Sequence, residues 1–387
     1  MNTKILLYSF CLYLSCNNLY ANTYSDFDQY QNKYTKDELT KKIETYLKKD
    51  DEITNYFSFS DNEFQVFATP NDKITSNPEF VLKLSSISQQ KYETRSHKKL
   101  DQMKIAIDPG HFGGCFSSLE QRRIFVTQKN CSHISEEILF EEATLNLLTA
   151  KILKSLLEKE GVSVLLTKEN LGCGVYEKNF WVWLKEQPPS NKSNSEYFRN
   201  GYNPNDLKAR AKKINDFQPD ITIIIHYNAH NDTNSRTGEA ILTNANYNMV
   251  FVGGSFCKGE LKDPEDRHEF VSLLLTTNLE DSMNLSREIL SRFTNTLNVP
   301  LVNEDIPYLK RMSIKIEEGL YARNLALTRL VHSPLCYGES LCQDNIEECQ
   351  LLNAKDLIVD GIIGPKRVEL VAKAYFEGIR AYILSKK

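Results

Sequence analysis

Lys104-Ile-Ala-Ile-Asp-Pro-Gly-His-Phe-Gly-Gly114 opens with an apolar run that stops at Asp108-Pro109-Gly110, and a histidine follows at once. That pattern is a buried strand ending in a tight turn, with His111 presented at its carboxyl end. Proline sets φ for the turn, and the glycines permit backbone that other residues avoid. Asp220-Ile-Thr-Ile-Ile-Ile-His-Tyr-Asn-Ala229 repeats the arrangement and ends at His226. Ligands of parallel α/β sheets bind beyond the carboxyl ends of the strands. Two histidines at two such ends therefore point to one shared site.

Between them, 140–158 reads as a helix, with apolar residues at 145, 148, 152 and 156. Glu141 and Glu142 fall in its first turn. Either carboxylate could serve only the helix dipole there. Alternatively, one of the two completes a His/Glu/His set, which with an open fourth position is the ligand pattern of catalytic zinc. Outward from this centre, strands are expected at 162–167, 220–227, 238–243 and 334–338. Helices are expected at 206–216, 281–297, 319–331, 345–353 and 364–384. Alternation of this kind predicts an α/β fold: a twisted, mostly parallel central sheet flanked by helices.

These residues together resemble the zinc-dependent N-acetylmuramoyl-L-alanine amidases that cleave peptidoglycan. Ile107-Asp-Pro-Gly-His111 matches the family's opening turn. Glu142 lies four residues before Asn146-Leu147, as the family's helix carboxylate does. Ile225-His-Tyr-Asn-Ala229 matches its second histidine strand. Pro334-Leu-Cys-Tyr-Gly-Glu339, followed by Asn345 and Glu348, matches its last strand. Thr167 and Leu207-Lys-Ala-Arg210 fall at two further family positions. The resemblance spans about 104–385. It implies Zn2+ held by His111, Glu142 and His226, with Glu141 the second choice for the carboxylate, and Glu339 as general base. Asp108 is expected to brace the His111 turn. The implied substrate is peptidoglycan (muropeptides), and an activator or divisome protein is an implied partner. Two readings of different class compete: a zinc carboxypeptidase acting on stem peptides, and a non-catalytic wall-binding protein. The chain departs from the family pattern in having Phe112 in place of Gly, a longer His111–Glu142 segment, Cys336-Tyr337-Gly338 before the base, and an insertion over about 244–320.

The chain has 387 residues and a formal charge of −4, so nothing in its charge argues for nucleic acid. Residues 1–21 read as a secretory signal: Lys4, a short apolar run, and Leu19-Tyr-Ala21 as the cleavage site. Export to the periplasm is expected, with lipoprotein anchoring through Cys16 the alternative. No later apolar run is long enough to cross a membrane. Cys11 and Cys16 lie in that leader, which leaves seven of the nine cysteines to the mature chain. Candidate disulfide pairs are Cys115–Cys131 and Cys342–Cys349.

Residues 22–34 are expected as a flexible lead, and 84–102 as a linker rich in Ser, Gln, Lys and His. Between them, 35–83 reads as a small α+β unit, starting at the helix signal Thr35-Lys-Asp-Glu38. Domain 103–387 follows as the catalytic unit. Ser88-Gln-Gln-Lys91 and Ser96-His-Lys-Lys99 match a penicillin-binding motif by chance composition alone. Trp181 and Trp183, in the polar stretch 171–205, are candidates either for sugar stacking or for packing that loop. The insertion is a candidate lid, with Glu260, Glu265, His268 or Glu269 as groups that could reach the metal. His230 is a candidate substrate contact.

Overall fold

The computed structural model describes residues 24–87, 98–126, 138–230, 241–303 and 306–385. The expected signal segment, the first Ser-x-x-Lys match, Ser96 and His97 of the second, Cys131 and residues 238–240 of the expected 238–243 strand lie outside the described residues; 241–243 are described and hold only an isolated bridge at Thr243 in place of a strand.

Seven strands form the main sheet: β1 (Lys104–Pro109), β2 (Ser163–Leu166), β3 (Ile221–Asn228), β4 (Met249–Val252), β5 (Ser313–Glu317), β6 (Leu320–Arg323) and β7 (Leu335–Cys342). Their order is β5-β6-β4-β7-β3-β1-β2. The pairs β6–β4, β7–β3, β3–β1 and β1–β2 are parallel, while β5–β6 and β4–β7 are antiparallel. The sheet is thus mostly parallel, as the βα alternation predicted. β3 is buried along its whole length. Its alternate residues serve both faces, as a central strand's must. Ile221, Ile223, Ile225 and Tyr227 join the large core, while Ile224 joins a smaller cluster on the other side.

The large core is roofed by α1 (Glu142–Lys159), and by α4 (Asn278–Leu297) and α5 (Arg367–Ser385) farther along the chain. α4 and α5 cross at Gly378, where an added Cβ would lie 2.8 Å from the Ile289 Cα. The smaller cluster is covered by α2 (Asn203–Phe217) and the short helix Ala326–Leu330, through Ala211, Ile214, Leu327 and Leu330. Helix α3 (Pro264–Leu275) precedes α4 and faces the amino-terminal unit.

Three expectations need correction. The helix expected over 319–331 is strand β6 followed by Ala326–Leu330. Gly319, at φ 75°, closes a hairpin with β5, and Leu320, Tyr321 and Ala322 are buried consecutively between sheet neighbours. The 244–320 insertion is not an appended lid. It supplies β4 and β5 to the sheet and α4 to the core. The flexible lead is packed where it is described: Tyr24–Tyr30 forms a 3-10 helix, and Phe27 is buried against the His268 ring at 4.9 Å. Phe27 and Tyr34 are apolar side chains without helical or strand periodicity, so a pattern reading passes over them.

The 35–83 unit has the three-stranded antiparallel sheet Phe57–Phe59, Glu63–Val66 and Phe80–Lys83. Its first helix starts with the capping box of Thr35 and Glu38. The unit shares the large core with the catalytic domain. Phe57 stacks on Phe270 of α3 at 5.6 Å, and Arg267 of α3 forks onto Glu79 at 2.6 and 3.1 Å. No helix among the described residues is long and apolar enough to cross a membrane.

Candidate metal centre

His111 leaves β1 through the Pro109-Gly110 turn at φ 60°, a conformation rare for a residue with a Cβ. The turn is fixed from below. Asp108 accepts the Thr167 hydroxyl at 2.5 Å and faces Arg210 Nη1 at 3.5 Å. Arg210 also donates to the Pro109 carbonyl and, through Nε, to Asp206 at 2.7 Å. The Gly110 carbonyl accepts from Asn146 Nδ2 and Lys168 Nζ, each at 3.2 Å. Asp108 is thus the brace that the sequence suggested, and Thr167 and Arg210 are its partners. Burial and the neighbouring Arg210 push the Lys168 ammonium down to about 7.

Glu142 begins α1, and its carboxylate reaches both imidazoles. Oε2 lies 3.0 Å from His111 Nε2, and Oε1 lies 2.9 Å from His226 Nδ1. The two rings stand edge to face at 4.7 Å. Donor atoms of His111, Glu142 and His226 all fall within 4.8 Å of one another, so the three could hold a metal ion. The other carboxylate, Glu141, does not join them. It accepts the Gly114 amide at 3.0 Å and so closes the turn. Strand-to-helix geometry separates the two: Glu141 is still extended, at φ −120°, and Glu142 is the first helical residue.

Glu120 also belongs to the centre, and no pattern in the sequence marked it. Its Oε1 lies 2.8 Å from His111 Nδ1, and its Oε2 accepts the Phe112 amide at 2.9 Å. The carboxylate is buried at 6% exposure. With Nδ1 occupied this way, His111 presents Nε2 inward, as ligating histidines do when a carboxylate holds their other nitrogen. Burial would depress the His111 imidazole, but Glu142 and Glu120 outweigh it and lift it to about 9. Burial would lift Glu120, but the His111 ring and the Phe112 amide hold it at about 2. His226 is lowered, chiefly by burial. Glu142 lies well below the ordinary carboxylate range, because the two histidines outweigh its burial.

His226 is seated by its neighbours. Tyr337 of β7 stacks on it at 4.6 Å with the planes 7° apart. On the other side is Gly110, where any Cβ would sit 2.1 Å from the ring. Glu339 stands directly across from His226 in the β7–β3 register, and across from Met249 in β4. Burial, then the nearby Glu142 charge, pushes its carboxyl up to about 8. The unusual Gly338 before it has a packing cause. The Tyr375 hydroxyl of α5 occupies the place of a Cβ, 2.0 Å from where that atom would be.

The remaining candidates lie apart from this group. Glu265 pairs with Lys208 at 2.8 Å, and Glu260 accepts from Asn324 at 2.7 Å. Glu269 lies between His268 and His332, at 3.3 and 3.1 Å. None joins the His111–Glu142–His226 group, because α3 faces the amino-terminal unit. His230 Nδ1 lies 3.2 Å from the Tyr247 hydroxyl. Trp183 is buried in an aromatic cluster with Phe112, Phe116, Phe180, Phe198 and Tyr202, while Trp181 is half exposed. Cys342 and Cys349 are both buried and form no disulfide with each other, against the expected pairing.

The chain matches the family model "N-acetylmuramoyl-L-alanine amidase" over residues 105–360. No curated protein sequence matches it. Among solved structures it is similar to the CwlD amidase of Clostridioides difficile in complex with the GerS lipoprotein (19% identity, TM-score 0.42, 73% of this chain and 99% of that one). It is also similar to the amidase Ami1 of Mycobacterium smegmatis (14%, 0.44, 74% and 100%) and to the catalytic domain of CwlV from Bacillus (Paenibacillus) polymyxa var. colistinus (15%, 0.40, 74% and 99%). The family match covers more than half of the chain and contains His111, Glu120, Glu142, His226 and Glu339; the chain belongs to the N-acetylmuramoyl-L-alanine amidase family of hydrolases.

Proposed function

We propose that this protein hydrolyses the amide between the lactyl group of N-acetylmuramic acid and L-alanine of peptidoglycan stem peptides, with zinc as its metal. The observation that carries this reading is the buried His111–Glu142–His226 group with Glu339 across the sheet from His226. The donor set fits zinc: two imidazoles and a carboxylate, with His111 oriented by Glu120. His111 would bind through Nε2, His226 through Nδ1, and Glu142 through its carboxylate. Zinc held there supplies a Lewis acid that brings a water molecule's pKa near 7 and polarises the scissile carbonyl.

The protein's own groups do the rest. Glu339 takes a proton from the attacking water and passes it to the departing amine of L-alanine. A carboxyl pushed up toward neutrality suits both transfers. Tyr337 and Gly110 keep the His226 ring in one plane. Export to the cell envelope, and a role in wall remodelling or cell separation, complete the proposal; the leader-like sequence of residues 1–21 and the proposed substrate support them.

The test is mass spectrometry of products from purified muropeptides. Disaccharide and intact stem peptide are expected as separate products, abolished by a chelator. Glu339→Gln should lower kcat by about 100- to 10,000-fold and still bind metal. Released D-alanine would replace this reading with a carboxypeptidase, and binding without any product would replace it with a wall-binding protein.

A further inference from the structure

Arg323 ends strand β6 with an unanswered charge. Its Nε is buried without a hydrogen-bond partner, and among the described residues no carboxylate forms an ion pair with its guanidinium. Two rings hold it: the guanidinium carbon lies 5.2 Å from the centre of Phe251 and 5.2 Å from that of Tyr308. The register shows which way it faces. Tyr321 lies opposite Phe251, and Phe251 opposite Tyr337. Arg323, two residues past Tyr321, therefore shares its face with Tyr337, Glu339 and His226. β6 is two strands from β7, about 10 Å at ordinary strand spacing, and Arg323 follows Ala322, the partner of Val252, so its backbone lies beyond Tyr337 toward the amino end of β7. The link to the site is the side chain: the guanidinium lies over the Phe251 ring, whose centre is 6.0 Å from that of Tyr337. Its charge is felt at Glu339, Tyr337 and Tyr308.

A half-buried cation with no carboxylate in ion-pair contact is costly, and a site that keeps one has a use for it. With two rings beside its guanidinium carbon and no protein acceptor on its Nε, Arg323 keeps N–H groups that fit a carboxylate. We infer that Arg323 is a specificity residue that receives a free carboxylate of an acidic stem peptide, placing the scissile amide against Glu339. This rests on the peptidoglycan reading above. In a stem peptide, the free carboxylate nearest the scissile amide is the α-carboxylate of the second residue, glutamate. An amide at that position would be neutral and would offer the fork only one acceptor.

The test separates this inference from the reading beneath it. Binding is measured by calorimetry on full-length, metal-loaded Glu339→Gln protein, so that chemistry is not needed. The probes are N-acetylmuramoyl-L-alanyl-D-glutamate and its α-amide. The acid form should bind about 10- to 100-fold more tightly, the worth of a charge-assisted pair. Adding Arg323→Met should abolish that preference by weakening the acid form alone. Arg323→Lys keeps the charge without the fork and should fall between. In active protein, Arg323→Met should lower kcat/KM for the acid substrate about 10- to 100-fold and far less for the α-amide. Equal binding of the two probes, or a preference that survives Arg323→Met, overturns the inference. So does an equal fall of kcat on both substrates with a shifted pH profile, which would mean that Arg323 only tunes Glu339. Intact discrimination with no hydrolysis by the unmutated protein would remove the amidase reading and leave the carboxylate site standing.

Discussion

Replacing Gly110 by alanine should disable metal binding without touching a ligand. The added Cβ would lie 2.1 Å from His226 Cε1, 2.3 Å from Nε2 and 2.6 Å from Nδ1. Ordinary contact begins near 3.4 Å, so the ring must retreat by more than about 1 Å. It has nowhere to go cheaply. Tyr337 lies parallel to it at 4.6 Å, and Glu142 holds its Nδ1 at 2.9 Å. Overpacking of this kind costs about 1–3 kcal/mol. A misplacement of about 1 Å at a functional group costs about 100-fold, and the group here is one of three ligands. Metal affinity should therefore fall by at least about 100-fold. Free metal at about 100 times the wild-type dissociation constant stabilises a folded protein by about 2.7 kcal/mol, and that gain should vanish. Competition with a chromophoric chelator reads the affinity, and urea unfolding with and without metal reads the stability. Gly361→Ala is the control. It has nothing within 4 Å and a φ of 79°, so it should lose stability and keep metal affinity. Wild-type metal affinity in Gly110→Ala would refute the placement of His226 in the centre.

Two further outcomes follow from the groups around His111. In the metal-free protein its pKa of about 9 lies above the unfolded value of about 6.5. Its contribution to stability is then fully present below about pH 6.5 and lost as pH rises through about 9. Metal must displace that proton, so apparent affinity should climb about tenfold per pH unit and level off above about 9; chelator competition across that range would show a flat profile if the reasoning fails. Glu120→Gln should weaken metal binding by about 10- to 100-fold, measured near pH 9, where proton competition no longer masks the loss. Equal affinity there would reduce Glu120 to a loop clasp for the Phe112 amide.

The parts of this protein that the sequence exposed are those where one short segment carries its own physics. β1 and β3 are apolar runs that end in histidine, and a strand's alternation decides by itself that His226 faces away from Ile225 and Tyr227. Glu142 was legible as one of two candidates. Helical periodicity alone does not separate it from Glu141, because it does not say at which residue extended backbone becomes helix; the spacing to Asn146-Leu147 in the family resemblance is what favours Glu142. Glu120 was not legible. Ser117-Ser-Leu-Glu120 is a single helical turn, and its carboxylate matters only because the turn folds back beneath His111. Arg323 was hidden for a related reason. Ala322-Arg-Asn-Leu-Ala-Leu has strong helix formers, but Gly319 and pairing with β4 and β5 override them.

The amino-terminal unit and the 244–320 segment are far apart in the sequence, and the packing makes them depend on each other. A unit of about 50 residues makes a marginal core alone. Here Ile43, Leu47, Ile53, Phe57 and Phe64 share one cluster with Phe256, Phe270 and Leu274 of the later segment. Backbone joins them as well: Lys49 and Asp50 both donate to the Phe256 carbonyl, and Ser255 donates to the Tyr46 carbonyl. Gly254, at φ 129°, allows this approach, since a Cβ there would lie 2.4 Å from the Tyr46 oxygen. The polar face of α3 is used in the same contact, with Arg267 on Glu79. Within the charged stretch 263–269, Arg267 and His268 receive the amino-terminal part, while Glu265, Asp266 and Glu269 pair with Lys208, Arg329 and His332 of the catalytic domain. The carboxyl-terminal rim of the sheet, where His111 and His226 stand, is left to Glu339 and Tyr337.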